Sequence, residues 1–453
     1  MLEKIVEWSA KNKFLVIIFT AVAIIAAIYS IKRIPLDAIP DLSDTQVIVY
    51  SRWDRSPDII EDQVTYPIVT AMLGAPKVKT IRGFSDFGFS YVYIIFQDGT
   101  DIYWARSRTL EYLSKILPKL PEGVKTELGP DATGVGWVFQ YALVDKTGKH
   151  SLADLRSFQD WYLRYYIQSV PGVAEVASIG GFQKQYQVNI NPNTLVSYRI
   201  PLMKVIEAIR DGNNDIGGRL VEFSGAEYMV RGLGYAKSIS DIENIVVDRN
   251  MQGTPILIKN IAKVSFGPEI RRGVSDLDGE GDTVGGIVVM RHGENALNVI
   301  KKVKAKLEEI KPSLPEGAEI IITYDRSDLI HRAIDTLKNQ LKEEMIIVSL
   351  VILLFLWHIP SAIVPIVNIP IAVFLTFIPM FGMKLTSNIM SISGIAISIG
   401  VLVDGAIIEV ENAYKKLQLW MQNGRVGDFH EVRLQALKEV VPAVFFSLLF
   451  IAV

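Results

Sequence analysis

The chain has 453 residues, a formal net charge of −2 and no cysteine. That length has room for about three domains of ~150 residues. The near-neutral balance lacks the basic clusters of a nucleic-acid binder, and the missing thiols exclude disulfides, thiolate metal sites and cysteine nucleophiles.

Hydrophobic residues make up 49% of the chain and the mean hydropathy is +0.27, high for a soluble protein. The excess sits at the two ends. Near the N-terminus, FLVIIFTAVAIIAAIYSI (residues 14–31) runs uncharged between Lys11 and Lys13 on one side and Lys32 and Arg33 on the other. At ~1.5 Å per residue it covers about 27 Å of helix, close to the ~30 Å hydrocarbon core of a bilayer. A first transmembrane helix is expected. The rival, a cleaved signal peptide, would have a shorter apolar run followed by a small-x-small cleavage site.

Residues 34–330 are soluble in character. TQVIVYSRW (45–53) and FSYVYIIF (89–96) predict strands, and DIYWARSRTLEYLSKIL (101–117) predicts an amphipathic helix. Two segments then recur. KLPEGVK (119–125) returns as SLPEGAE (313–319), each between a charged helix and a strand, and VKTIRGF (78–84) is echoed by AEVASIGGF (174–182). A duplicated split βαβ unit accounts for both, against chance reuse of a Pro-Glu-Gly turn. The second copy reads as interrupted. Its opening strand and helix fall at 137–180, its closing part at 284–324, and 182–271 reads as an inserted subdomain.

From residue 341 the chain is apolar again. MIIVSLVILLFLW (345–357) and AIVPIVNIPIAVFLTFIPMFGM (362–383) predict two spans joined by an HIPS turn. Pro365, Pro370 and Pro379 are tolerable in a membrane helix packed against neighbours. Residues 385–412 predict the next span, and a polar, amphipathic stretch runs on to Val440. The last segment, 441–453, has 13 residues. It would reach only about 20 Å, so it reads as an incomplete fifth span and the chain as a truncated form of something longer. Lys4, Lys11 and Lys13 precede the first span, and Lys415, Lys416, Arg425, Arg433 and Lys438 follow the fourth; the loop between the third and fourth has only Lys384. The positive-inside rule then puts both basic segments in the cytoplasm and the large soluble region outside the inner membrane.

GVLVDGAIIEVENA (400–413) is the stretch with chemistry in it. Lys384 and Lys415 bound 30 residues without Lys or Arg, with Ile399 and Gly400 at the middle. Asp404 is then ~7 Å from the bilayer centre. A carboxylate at that depth costs roughly 2.5–3.5 kcal/mol, so it is expected to face protein or water and to serve as a proton carrier. Glu411 lies almost two turns on and is expected on the same face, with Glu409 roughly 140° around the helix. Carboxylates that merely cap the helix or pair with a neighbour are the structural reading, which suits Glu409 and Glu411 better than Asp404.

Enzyme chemistry finds no foothold. An intramembrane aspartyl protease needs a second aspartate on another span. No GxxxxGK[ST] phosphate loop and no HExxH motif occur, and His150, His292, His331, His358 and His430 are scattered, as surface residues are. No catalytic residue is assigned.

IPLDAIPDLSDTQVIV after the first span, EDQVTYPIVTAMLG, FQDGTDIYWARSRTLEYL, ELGPDATGVGW, SFQDW, AEYMVRG, GPEIRRG and SLPEGAEIIITYDRS together resemble the first half of a resistance-nodulation-division (RND) efflux pump, across essentially the whole chain. The resemblance implies an α+β membrane protein: transmembrane helices plus a large periplasmic region of ferredoxin-like βαβ porter subdomains with an inserted docking subdomain. It assigns 1–33 to the N-terminal tail and first span, 34–133 to the first porter subdomain, 134–181 and 272–330 to the second, and 182–271 to the docking subdomain. Spans two to four take 331–413, a cytoplasmic amphipathic connection 414–440, and the incomplete fifth span 441–453. It further implies a secondary transporter of the bacterial inner (plasma) membrane, homotrimeric in its complete form, driven by proton influx. Its partners would be a periplasmic adaptor, an outer-membrane channel and the lipid bilayer, without nucleic acid.

Gly405 stands where multidrug members carry a second aspartate, and Ser398 and Ile399 stand where divalent-metal members carry Asp and Phe. The pattern is most similar to the CusA-like copper/silver exporters of the heavy-metal branch. On that resemblance the transported ion is Cu(I) or Ag(I), with no cofactor. Asp404 and Glu411 form the proton relay, Glu409 is a secondary candidate, and Met390 with Met383 offers thioether ligands to a soft ion. The family's three-methionine site and the basic partner of Asp404 belong to its second half. The alternatives are a non-transporting fragment, a structural partner requiring a separate C-terminal half, or efflux of divalent metals or drugs.

Overall fold

The computed structural model describes residues 2–271, 273–356, 359–383 and 385–452. Trp357 and His358 of the expected second span and turn, Lys384 of the next loop, Arg272 at the expected subdomain boundary and Val453 lie outside the described residues.

A short amphipathic helix α1 (Leu2–Lys11) leads into α2 (Lys13–Arg33). The first sheet follows, from β1 (Gln46–Arg52), β2 (Val78–Asp86), β3 (Phe89–Phe96) and β4 (Lys125–Leu128), in the order β2-β3-β1-β4. Alternation along β1 sends Val47 and Val49 inward. They meet Ile60, Val64 and Ile68 from the helical crossover and Leu113 of helix α3 (Ile102–Ile116), forming one core.

The second sheet opens with β5 (Trp137–Asp145) and β6 (Val173–Gly180). The chain then leaves it to build β7 (Lys184–Ile190), β8 (Ile216–Phe223), β9 (Ala226–Gly232), β10 (Val246–Arg249), β11 (Pro255–Leu257) and β12 (Ala262–Pro268). Within this insertion β7 pairs with β12, β10 with β11, and β8 with β9 as an exposed hairpin. The sheet resumes with β13 (Val284–Met290), helix α4 (Ala296–Ile310) and β14 (Ala318–Asp325), and its order is β14-β5-β13-β6. Written by position in each unit, both sheets read 4-1-3-2. That is the ferredoxin-like arrangement of a split βαβ pair. β13 is buried along its whole length, as a central strand covered by helices should be. The recurring Pro-Glu-Gly turn has a backbone cause: Gly123 and Gly317 each take φ of 87°, a left-handed conformation that a side chain disfavours.

β14 passes without a linker into α5 (Arg326–Leu356), followed by α6 (Ile359–Gly382), α7 (Ile389–Gln422) and α8 (Phe429–Ala452). Among the described residues, α2, the Ser361–Gly382 part of α6, and α7 are long and apolar enough to cross a membrane. α6 stays helical through Pro365, Pro370 and Pro379. Two extents differ from the sequence expectation. α7 runs ten residues past Asn412, carrying Lys415 and Lys416 with it, and the connection is only the turn 423–428. The polar stretch before residue 441 and the apolar one after it are a single helix. Asp428 caps that helix, accepting from the N–H groups of His430 and Glu431 at 3.1 Å each.

The membrane helices are tied to the soluble region at one junction. Asp37 N–H donates to Ser387 O at 3.1 Å and Ser387 N–H to Pro35 O at 2.9 Å, clasping the end of α2 to the start of α7. Beside them Arg326, at the head of α5, is buried; its guanidinium meets the Asp37 carboxylate at 2.9 Å and donates to Val135 O of the segment entering β5. A second clasp follows: Asp41 accepts from Thr133 Oγ1 at 2.7 Å and faces His292 Nδ1 at 3.6 Å.

Truncating one partner of a buried ion pair strands the other, so Arg326→Met should destabilise the chain by about 3–5 kcal/mol, measured by denaturant unfolding in detergent. The second clasp predicts a pH dependence. Asp41 raises the His292 pKa against the opposing effect of burial, so this contribution is complete below the ordinary ~6.5 and is lost as pH climbs through the raised value. Burial opposes the charged form of Asp41, but His292, Thr133 and Ser43 outweigh it and hold the carboxyl well below the usual range; that contribution is lost only on strong acidification. His292→Gln should flatten the decline in melting temperature above about pH 6.5.

Candidate functional site

α7 has 34 residues, about 51 Å of helix, and starts from a capping box in which Asn388 and Ser391 exchange side-chain-to-backbone hydrogen bonds of 2.8 and 3.0 Å. One face carries Ile395, Ile399 and Val403 at helical spacing, all buried; the last two pack against Ile352 of α5 and Ala362 and Ile369 of α6. Asp404 follows about 22 Å along from Ile389, near the middle of the span.

On the adjoining face α8 comes close. A Cβ at Gly405 would sit 3.0 Å from Val444 Cγ1, so the helices touch because this residue has no side chain. Almost two turns further on, Asn412 Nδ2 donates to Ala436 O at 2.8 Å and fixes the crossing. Above the contact a groove of about 360 Å³ opens between α7 and α8, lined by Val401, Asp404, Ile408, Val444 and Ser447 among others. Asp404 is exposed into this groove and has no hydrogen-bond or ion-pair partner among the described residues; Ser447 supplies the other polar side chain lining it. A lone carboxylate in an apolar groove within a span is a group whose charge must be removed by protonation or met by another segment.

The other two carboxylates open elsewhere. Glu411 pairs with Lys415 Nζ at 2.8 Å and lines a space of about 400 Å³ beside Val351 and Ile352 of α5. Glu409 is half-buried in a cavity of about 600 Å³ against α1 and the start of α8. Asp404 and Glu411 are only about 20° apart around the helix, but α8 and α5 flank that sector, so the two residues enter adjacent grooves and not one. Met383 follows the last residue of α6, and Met390 sits on the first turn of α7; both are exposed at the end of the bundle that joins the soluble region. Sequence reasoning read Gly405 and Asn412 only as members of a family pattern and passed over Ser447. The signal for the first was a glycine inside an apolar helix, a small residue that permits close helix approach.

The AcrB/AcrD/AcrF family model matches residues 5–453. The chain is 51% identical to the cation efflux system protein CusA of Escherichia coli (strain K12), and 50% identical to the putative cation efflux system protein SilA of Salmonella typhimurium. Each match covers 100% of this chain and 44% of the relative. The cobalt-zinc-cadmium resistance protein CzcA of Cupriavidus metallidurans is 35% identical, again over 100% of this chain and 44% of that one. Among solved structures, a heavy metal efflux pump (crystal form II) superposes with a TM-score of 0.80 at 28% identity, covering 99% of this chain and 47% of that one. The chain thus spans less than half the length of the curated relatives it matches.

The α7–α8 contact yields a stability prediction. Gly405→Val should force Val444 aside and cost about 1–3 kcal/mol in detergent unfolding. Gly400→Ala, whose Cβ enters open space, should leave the stability unchanged or slightly raised.

Proposed function

Because the chain belongs to the AcrB/AcrD/AcrF family of resistance-nodulation-division membrane proteins, we propose that it is part of a proton-driven pump that exports heavy-metal cations across the bacterial inner membrane. The observation that carries this reading is Asp404, an acid near the middle of a spanning helix, open to a groove and unpaired among the described residues. Desolvation penalises its charge, so entry of a proton at one side and departure at the other can be exchanged for movement of a cation in the opposite direction. Glu411 is the access-side helper, nearer the end of α7 that carries Lys415 and Lys416. Glu409 is a weaker candidate, since its cavity is a different one.

Cu(I) or Ag(I) is the proposed cargo. The 51% and 50% identities to CusA and SilA against 35% to CzcA favour it. So do the exposed thioethers of Met383 and Met390 at the soluble-side end of the bundle, which suit soft ions. The soluble region is read as periplasmic, with porter subdomains at 34–133 and at 134–181 plus 272–330, and a docking subdomain at 182–271. The working pump is read as a homotrimer joined to a periplasmic adaptor and an outer-membrane channel.

The test is resistance in an efflux-deficient host carrying this chain within its complete pump. Asp404→Asn should abolish copper and silver resistance at unchanged protein level, while Glu411→Gln should weaken it. Unimpaired resistance in Asp404→Asn would remove the proton role; resistance to zinc, cobalt and cadmium in place of copper and silver would reassign the cargo.

A further inference from the structure

A cavity at the far end of α7 is separate from the Asp404 groove. It holds about 600 Å³ between α1, α7 and the first turns of α8, at the end of the bundle away from the soluble region. α1 is held over it by Glu7, which meets Lys438 of α8 and Lys11 at 2.7 Å each. The apolar wall includes Ile5, Leu437 and Val441. Trp8 is exposed on the same short helix, just before Lys13 begins the first span. Tryptophan and lysine at that position mark the headgroup level of a membrane.

The charges are the informative part. Lys11 is taken by Glu7, and Asp428 by the backbone of α8. That leaves Lys13 and Arg433 against Glu409 and Glu431: two cations and two carboxylates lining one cavity, each without an ion-pair partner among the described residues. Arg433 stacks on the Phe429 ring at 5.4 Å, which holds its guanidinium plane without neutralising it. Unpaired charges of both signs above an apolar wall match a ligand that carries both signs above acyl chains.

We propose that this cavity binds one phospholipid whose headgroup bears a phosphate and a primary amine, the phosphate met by Lys13 and Arg433 and the ammonium by Glu409 and Glu431. Its acyl chains would run along Leu437 and Val441 into the bilayer. The site is independent of the pump reading and stands or falls on lipid binding alone.

Native mass spectrometry of the delipidated full chain in detergent tests it, using phosphatidylethanolamine, phosphatidylcholine and phosphatidylglycerol with identical acyl chains, and glycerophosphoethanolamine as the chain-free headgroup. One phosphatidylethanolamine should bind, preferred over the other two lipids by about fivefold or more, roughly the factor one charged contact near a headgroup supplies. Arg433→Gln and Glu409→Gln should each remove that preference with helical circular dichroism intact, and Lys13→Gln serves if either fails to fold. Equal binding of phosphatidylglycerol, binding of the free headgroup as strong as that of the lipid, or a preference unchanged in the variants would each overturn the proposal.

Discussion

A carboxylate inside the hydrocarbon of a membrane is too costly to leave charged and unattended, and α7 holds one at Asp404. The surroundings of that residue answer to this constraint. Gly405 lets α8 approach within contact of α7, Asn412 pins the crossing through Ala436 O, and Asp404 is left facing a narrow groove beside Ser447. The depth of α7 is set in turn by the junction. Backbone bonds join residues 35–38 to 387–389, so the start of α7 cannot slide relative to the end of α2.

The soluble region is connected to that arrangement mechanically as well as covalently. β14 ends at Asp325 and α5 begins at Arg326, with no flexible residue between them. Arg326 reaches both Asp37 after the first span and Val135 before β5, so one buried guanidinium joins two membrane helices to the second sheet. A shift of α5 along the membrane normal would therefore be felt in that sheet. The connection is a physical route from the spanning helices to the second sheet.

Much of this was legible in the sequence, for definite reasons. The duplicated unit was visible because its Pro-Glu-Gly turn needs a left-handed glycine each time, and because residues 45–53 and 89–96 are rich in the β-branched and aromatic residues that strands favour. The family and its heavy-metal branch were legible in long motifs from the loop after the first span to SLPEGAEIIITYDRS. The limits of α7 and α8 were not, because amphipathic polar turns such as Glu411–Lys415 continue a helix as readily as they end one. The division of three nearby carboxylates among three spaces was equally hidden. It depends on where α1, α5 and α8 cross α7, and spacing along one helix carries no information about its neighbours.

The account rests on Asp404 taking and losing a proton within the bilayer. Infrared difference spectroscopy of the chain in lipid vesicles, stepped from acid to alkaline pH, measures that directly through the carbonyl band of a protonated carboxyl group. The account predicts a pH-dependent carbonyl band that is missing from Asp404→Asn. A carbonyl band unchanged by that substitution would contradict it.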